Sequence, residues 1–97
     1  MKPSLAFEQN REAIKAVIAR YQTVRNPRLF GSTAKGTDKE GSDLDLLVDA
    51  LPGTTLIHLC GLQIELEELL GIKVDVRTPF ELHTRFRDRV LAEARPI

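Results

Sequence analysis

The chain has 97 residues and carries 14 basic and 14 acidic side chains, for a formal net charge of zero. That length allows one domain, expected to span residues 1–97, and the 42% hydrophobic and 29% charged content fits a soluble globular protein with no run long enough to span a membrane. The charge balance, no Trp and a single Tyr argue against a nucleic-acid partner, which calls for a basic surface or a stacking platform.

The N-terminus lacks the apolar core of a signal peptide. Ser4 to about Gln22 reads as a helix, because Ile14, Val17, Ile18 and Tyr21 recur at the spacing of one buried face. Pro3 and Pro27 mark its limits. Arg28 to Phe30 is expected as a short strand ending at Gly31, followed by a short helix from Ser32 to Gly36 and a polar loop from Thr37 to Ser42. Asp43 to Ala50 is the clearest strand: Leu44, Leu46 and Val48 share one face, and Asp43, Asp45, Leu47 and Asp49 the other. Asp49 reads as a surface or loop-capping residue.

Thr54 or Thr55 can cap a second long helix, about Leu56 to Leu70, whose stripe is Leu59, Leu62, Leu66, Leu69 and Leu70, with Gly71 ending it. Cys60 falls within this helix and reads as buried packing. It has no partner for an internal disulfide, which points to a cytoplasmic setting. Glu65, Glu67 and Glu68 read as solvent-facing. Ile72 to Arg77 is a third strand, with Asp75 on the face opposite Ile72, Val74 and Val76. Thr78, Pro79 and Glu81 form a capping box for a last helix bearing Leu82, Phe86, Val90 and Ala94, basic through Arg85, Arg87, Arg89 and Arg95. His83 is placed at its surface. The expected architecture is α/β, with a small mixed sheet of about three strands, helices packed on it, and the order α-β-α-β-α-β-α.

The chemistry concentrates between Phe30 and Asp49. Asp43 and Asp45 project from one face of a strand, and Asp75 joins them if the third strand lies alongside. Three carboxylates without a countercharge repel each other, and a divalent cation removes the conflict. Magnesium prefers oxygen ligands, and two ions about 4 Å apart can serve both oxygens of an in-line phosphoryl displacement. Asp43, Asp45 and Asp75 are therefore candidate metal ligands and catalytic groups, with Asp75 able to accept a proton from an attacking hydroxyl. Gly31 and Ser32 are candidate nucleotide-binding residues, since a glycine turn at a helix start presents N–H groups to phosphate. Lys35 is a further candidate, one helical turn on.

Gly31-Ser32, a spacer, and Asp43-Leu44-Asp45 on an apolar strand resemble the signature of the DNA polymerase beta-type nucleotidyltransferases. The short form is most similar to the minimal nucleotidyltransferase (MNT) proteins, antitoxins of HEPN/MNT toxin–antitoxin pairs. The likeness extends over nearly the whole chain, through Val74 to Leu82. It implies a mixed sheet and Mg2+-dependent transfer of a nucleoside monophosphate from an NTP, with ATP as donor. The acceptor it implies is a tyrosine hydroxyl on a partner HEPN toxin, within a complex of unlike chains. By position, Gly31 and Ser32 match the phosphate-binding pair, Asp43 and Asp45 the metal pair, and Asp75 the third acid. Thr33-Ala34-Lys35 stands where many relatives carry arginine, which offers a bidentate fork that lysine lacks. Two other readings remain: an antitoxin that neutralises by binding alone, and a small-molecule transferase of the aminoglycoside type, for which this length leaves no acceptor domain.

Overall fold

The computed structural model describes residues 1–97. A four-stranded mixed sheet has the order β3-β2-β1-β4. β1 is Val24–Leu29, β2 Leu44–Ala50, β3 Val74–Arg77 and β4 Arg95–Pro96. β2 runs antiparallel to β1 and parallel to β3. Five helices accompany it: α1 Pro3–Gln9, α2 Arg11–Ala19, α3 Gly31–Lys35, α4 Leu56–Leu70 and α5 Thr84–Glu93. Leu44, Leu46 and Val48 are fully buried and meet Phe7, Ile14, Ile18, Leu62 and Leu66 in one continuous core. The alternation read along β2 therefore holds: the core takes one face and leaves the acids on the other.

The first helix is two helices. Asn10 breaks it because its side-chain amide donates to the Ala6 carbonyl (2.9 Å), the acceptor its own N–H would use in a continuous helix. That N–H turns instead to the Phe7 carbonyl (3.1 Å). β1 also begins earlier than expected and passes through Pro27. A bulge between Arg25 and Arg28 absorbs the proline, with Asn26 in the left-handed region at φ 51°. The fourth strand, Arg95–Pro96, pairs with Leu29 and Arg28, where the sequence shows only the end of a helix. Two residues are too few to carry a pattern.

α4 matches its expected limits. Thr55 caps it by accepting from the His58 N–H, and Gly71 closes it at φ 69°. Leu62 and Leu66 face inward, which turns Cys60 to the opposite, exposed side; the expectation that it is buried is corrected. Glu65 and Glu67 are not free surface acids. Glu65 accepts from the Tyr21 hydroxyl (2.7 Å) and pairs with Arg20. Glu67 accepts the Val74 N–H (3.0 Å), and Gln63, one turn earlier, accepts the Val76 N–H (3.2 Å). Two side chains of α4 thus satisfy the outer edge of β3, which no strand covers. Asp49 is likewise committed: it pairs with the buried Arg28 (3.1 Å) and accepts from Asn26 (3.2 Å). The Thr78–Glu81 capping box forms, but it opens a 3-10 turn, Pro79–Glu81, and α5 starts only after His83. None of α5 is fully buried.

Replacing Glu67 by Ala strands the Val74 N–H at a half-covered edge. The expected loss is about 1–3 kcal/mol in urea denaturation, whereas Glu68→Ala, fully on the surface, should stay within about 0.5 kcal/mol. Equal losses for the two variants would contradict the edge assignment.

Candidate active site

β2 and β3 are in parallel register with Asp45 directly opposite Asp75. Side chains opposite each other in paired strands share a face. Asp43 lies just before β2, which begins at Leu44, and its charge acts on Asp45. The electrostatics agree with this convergence. The Asp45 carboxyl is raised from 3.8 to about 6, first by burial, then by the charges of Asp75 and Asp43; Arg77 opposes the rise and Asp38 adds a little to it.

Gly31 closes the site on the other side. Its φ is +60°, and a Cβ placed there would lie 2.7 Å from Asp45 Oδ2. Only glycine lets the backbone turn and also approach the carboxylate so closely. The bend is pinned to β2 from both ends. Phe30 N–H donates to the Asp45 carbonyl (3.1 Å), and the Thr33 hydroxyl accepts from the Asp45 N–H (3.2 Å) while donating to the Asp43 carbonyl (3.4 Å). Thr33 is 1% exposed. It occupies the hydrogen-bonding position that β1 would fill had it continued past Leu29. Ser32 lies in the first turn of α3, whose N-terminus has no side-chain cap.

Asp75 accepts from Arg77 Nε through both oxygens (3.2 and 3.0 Å). No three of the chain's acidic, His or Cys side chains close on one point as they stand, and Asp75 is paired with Arg77. The donor set fits a hard divalent cation: Asp45, raised by its burial and by the charges of Asp75 and Asp43, with a single arginine among them. Lys35 is directed elsewhere, with Nζ 3.1 Å from Glu93 Oε2 on α5. The structure thus sets Asp45 between Gly31 and Asp75, with Asp43 near enough for its charge to act on Asp45 and Ser32 next to Gly31 in the chain, and leaves Lys35 at the far end of α3.

The sequence reading missed three contributors. Thr33 shows nothing in sequence beyond a hydroxyl in a short helix. Arg77 was visible as the next same-face residue after Asp75. Asp38, read as part of a polar loop, is 3% exposed; its Oδ2 accepts the Ser4 N–H at the start of α1 (2.7 Å), and its Oδ1 has no partner. It anchors the loop that leads into Asp43. One cleft of about 270 Å3, bounded by α4, β3 and the 3-10 turn, has Asp75 in its wall; Asp43, Asp45, Gly31 and Ser32 do not line it. Two other clefts, one against Ile18 and Ile97 and one around Gln22 and His58, contain none of the candidate residues.

Residues 11–97 match the nucleotidyltransferase domain family. A Methanocaldococcus jannaschii protein provisionally named a protein adenylyltransferase is 45% identical over 71 residues, covering 73% of this chain and 76% of its own. The protein adenylyltransferase MntA of Thermococcus cleftensis is 39% identical over 70 residues, covering 72% of this chain and 71% of its own. A solved structure provisionally described as a minimal nucleotidyltransferase superimposes with a TM-score of 0.84 at 40% identity, over 97% of this chain and 95% of that one. A toxin–antitoxin crystal structure with AMP-PNP shares the fold, with a TM-score of 0.66 at 23% identity over 84% of this chain and 69% of that one. The chain belongs to the nucleotidyltransferase domain family, as a minimal, MntA-like member among relatives named for protein adenylyl transfer.

Proposed function

We infer that this chain moves AMP from ATP to a hydroxyl, of the tyrosine type, on a partner protein, and that the partner is a HEPN-class toxin silenced by the modification. The observation that carries this reading is the placement of Asp45 between Asp75 and the Gly31 bend. The names of the relatives support adenylyl transfer to protein. The toxin–antitoxin neighbour, solved with an ATP analogue, supports the donor and the kind of partner.

In the proposed reaction the N–H groups at Gly31 and Ser32 hold the β- and γ-phosphates. Asp43, Asp45 and Asp75 would hold magnesium, which supplies the countercharge for the triphosphate and the departing pyrophosphate. The acceptor hydroxyl gives its proton to Asp75 as its oxygen bonds to the α-phosphorus. The bond from that phosphorus to the bridging oxygen breaks, and pyrophosphate leaves with the electron pair. The protein forms no covalent bond; it positions and neutralises. Thr33 and Arg77 act as positioning residues, one on the backbone of Asp45 and the other on the Asp75 carboxylate. Lys35, committed to Glu93, fits a role in fixing α3 better than a direct hold on phosphate.

Asp43→Ala should abolish transfer of label from ATP to the partner in the presence of Mg2+, and parental labelling by this variant would refute the metal assignment. Asp45→Asn should also abolish transfer, and it should stabilise the cation-free protein. A carboxyl raised from 3.8 to about 6 holds its proton more tightly in the folded state. Below 3.8 both states are protonated and the shift costs nothing; between 3.8 and 6 the unfolded state ionises first and stability falls; above 6 the whole penalty stands. The asparagine variant should therefore melt higher than the parent in chelator at neutral pH, by on the order of 1 kcal/mol once solvent screening of this half-buried group is allowed for. The gain should disappear in acid. A variant less stable than the parent at neutral pH would contradict it.

Gly31→Ala forces a side chain into the left-handed region and against Asp45 Oδ2. It should lose about 1–3 kcal/mol of stability in denaturant titration, together with nucleotide binding. Unchanged binding of AMP-PNP would remove Gly31 from the phosphate site.

A further inference from the structure

We propose that the cleft between the N-terminal half of α4 and the end of β3 is the chamber for the acceptor side chain, and that it selects a protein hydroxyl flanked by apolar residues. This rests on the transfer reaction proposed above and adds where the acceptor sits and what recognises it.

Direction is the first argument. The Asp45 backbone is bonded to Phe30 and Thr33, so the Gly31–Ser32 bend lies on the β1 side of β2. Asp75 lies on β3, the other side. An in-line displacement places the incoming and outgoing oxygens on opposite sides of phosphorus. With pyrophosphate at the bend, the acceptor must approach past β3. The cleft that opens there is the one whose wall includes Asp75.

Size and lining are the second. At about 270 Å3 the cleft falls below the roughly 300–1,000 Å3 of sites for whole small ligands, and suits one side chain. Leu56, Leu59 and Cys60 line it from α4, opposite Asp75, Arg77 and Glu81. An aromatic ring fits the apolar wall while its hydroxyl reaches the carboxylate.

The rim is the third. Leu56 is 74% exposed, its neighbour Ile57 81%, and Phe80, next to Glu81, 88%. Scattered exposed apolar residues need no explanation, but Leu56 lines the cleft itself, and Ile57 and Phe80 are the chain neighbours of the lining residues Leu56 and Glu81. α4 is apolar on its outer as well as its inner face, the pattern of a helix covered on both sides. The cations and anions at the mouth decide between macromolecules. Within the cleft wall the one cation, Arg77, is already engaged by Asp75, and Glu81 is acidic; Arg87, outside the wall, is held over the Phe80 ring and by the Pro79 and Leu82 carbonyls, so the wall itself offers a nucleic-acid backbone no unpaired cation. An apolar stretch of protein does find a matching surface.

Cys60 supplies the test, being the chain's single cysteine, exposed, and on the cleft wall. The full chain would be treated with N-ethylmaleimide and given ATP labelled at the α-phosphate with Mg2+. The acceptor probes are an end-blocked Leu-Tyr-Leu peptide at millimolar concentration and a short oligoribonucleotide with a free 3′-hydroxyl. Binding of AMP-PNP is measured in parallel. The untreated chain should label the peptide and not the oligonucleotide. Alkylation should cut peptide labelling by about tenfold or more, the scale set by mis-sizing an apolar pocket, with AMP-PNP affinity unchanged. Labelling by a Cys60→Ser variant should not respond to the reagent.

Undiminished labelling after alkylation would overturn the proposal. So would label on the oligonucleotide, loss of AMP-PNP binding on alkylation, or no peptide label from a chain that binds AMP-PNP. Failure of the untreated chain to bind AMP-PNP at all would instead bring down the nucleotidyl-transfer reading beneath it.

Discussion

The parallel pairing of Asp45 with Asp75 is the constraint on which the rest of this molecule turns. It sets two carboxylates side by side on a sheet face, with a third two residues away, and the cost shows in the raised Asp45 carboxyl. A fold selected for stability alone would place a neutral or apolar residue there. Much of the surrounding structure serves to hold the arrangement. Thr33 and Phe30 fix the Asp45 backbone on one side. Gln63 and Glu67 secure the edge of β3, and therefore the position of Asp75, on the other. Asp38 ties the approach to Asp43 onto the start of α1. The core of Leu44, Leu46 and Val48 against α1, α2 and α4 keeps β2 from slipping, because a shift of one residue would send the acids into the interior.

Arg77 adds a balancing element. Its guanidinium contacts both oxygens of Asp75, lowers the charge burden on Asp45, and has its own proton held more firmly as a result. The cluster is thus partly neutralised from within. Asp45 still carries the repulsion of Asp75 and Asp43 on top of its burial.

How much of this the sequence revealed depends on the length scale of each signal. β2 was legible because Leu44, Leu46 and Val48 alternate with Asp45 and Asp49, although Leu47, on the acids' face, is buried as well. α4 was legible from its leucine stripe, Thr55 and Gly71. Gly31 stood out through its place before a short polar helix, although its closeness to Asp45 is a tertiary fact. The break at Asn10 escaped because the pattern that marks the helix, Ile14 to Tyr21, lies wholly after it, while a side-chain amide takes over one backbone bond. The extension of β1 escaped because Pro27 reads as a breaker unless the bulge at Asn26 is known. β4 is simply too short. Lys35 occupied a plausible position by spacing, yet Glu93, 58 places away in sequence, captures its ammonium. Glu65, Glu67 and Asp49 looked like ordinary surface acids, and their partners come from distant parts of the chain. Cys60 was misplaced because it lies among the apolar residues of the N-terminal half of α4, where Leu56 and Ile57 are exposed too, while Leu62 and Leu66 turn inward.

A crystal of the chain grown with AMP-PNP and Mn2+, with data collected at the manganese edge, tests the central claim most directly. The account predicts anomalous density between Asp43, Asp45 and the triphosphate, Asp75 turned toward it from Arg77, and the outer phosphates on the N–H groups of Gly31 and Ser32. Nucleotide bound in another cleft, or manganese that ignores Asp43 and Asp45, would contradict it.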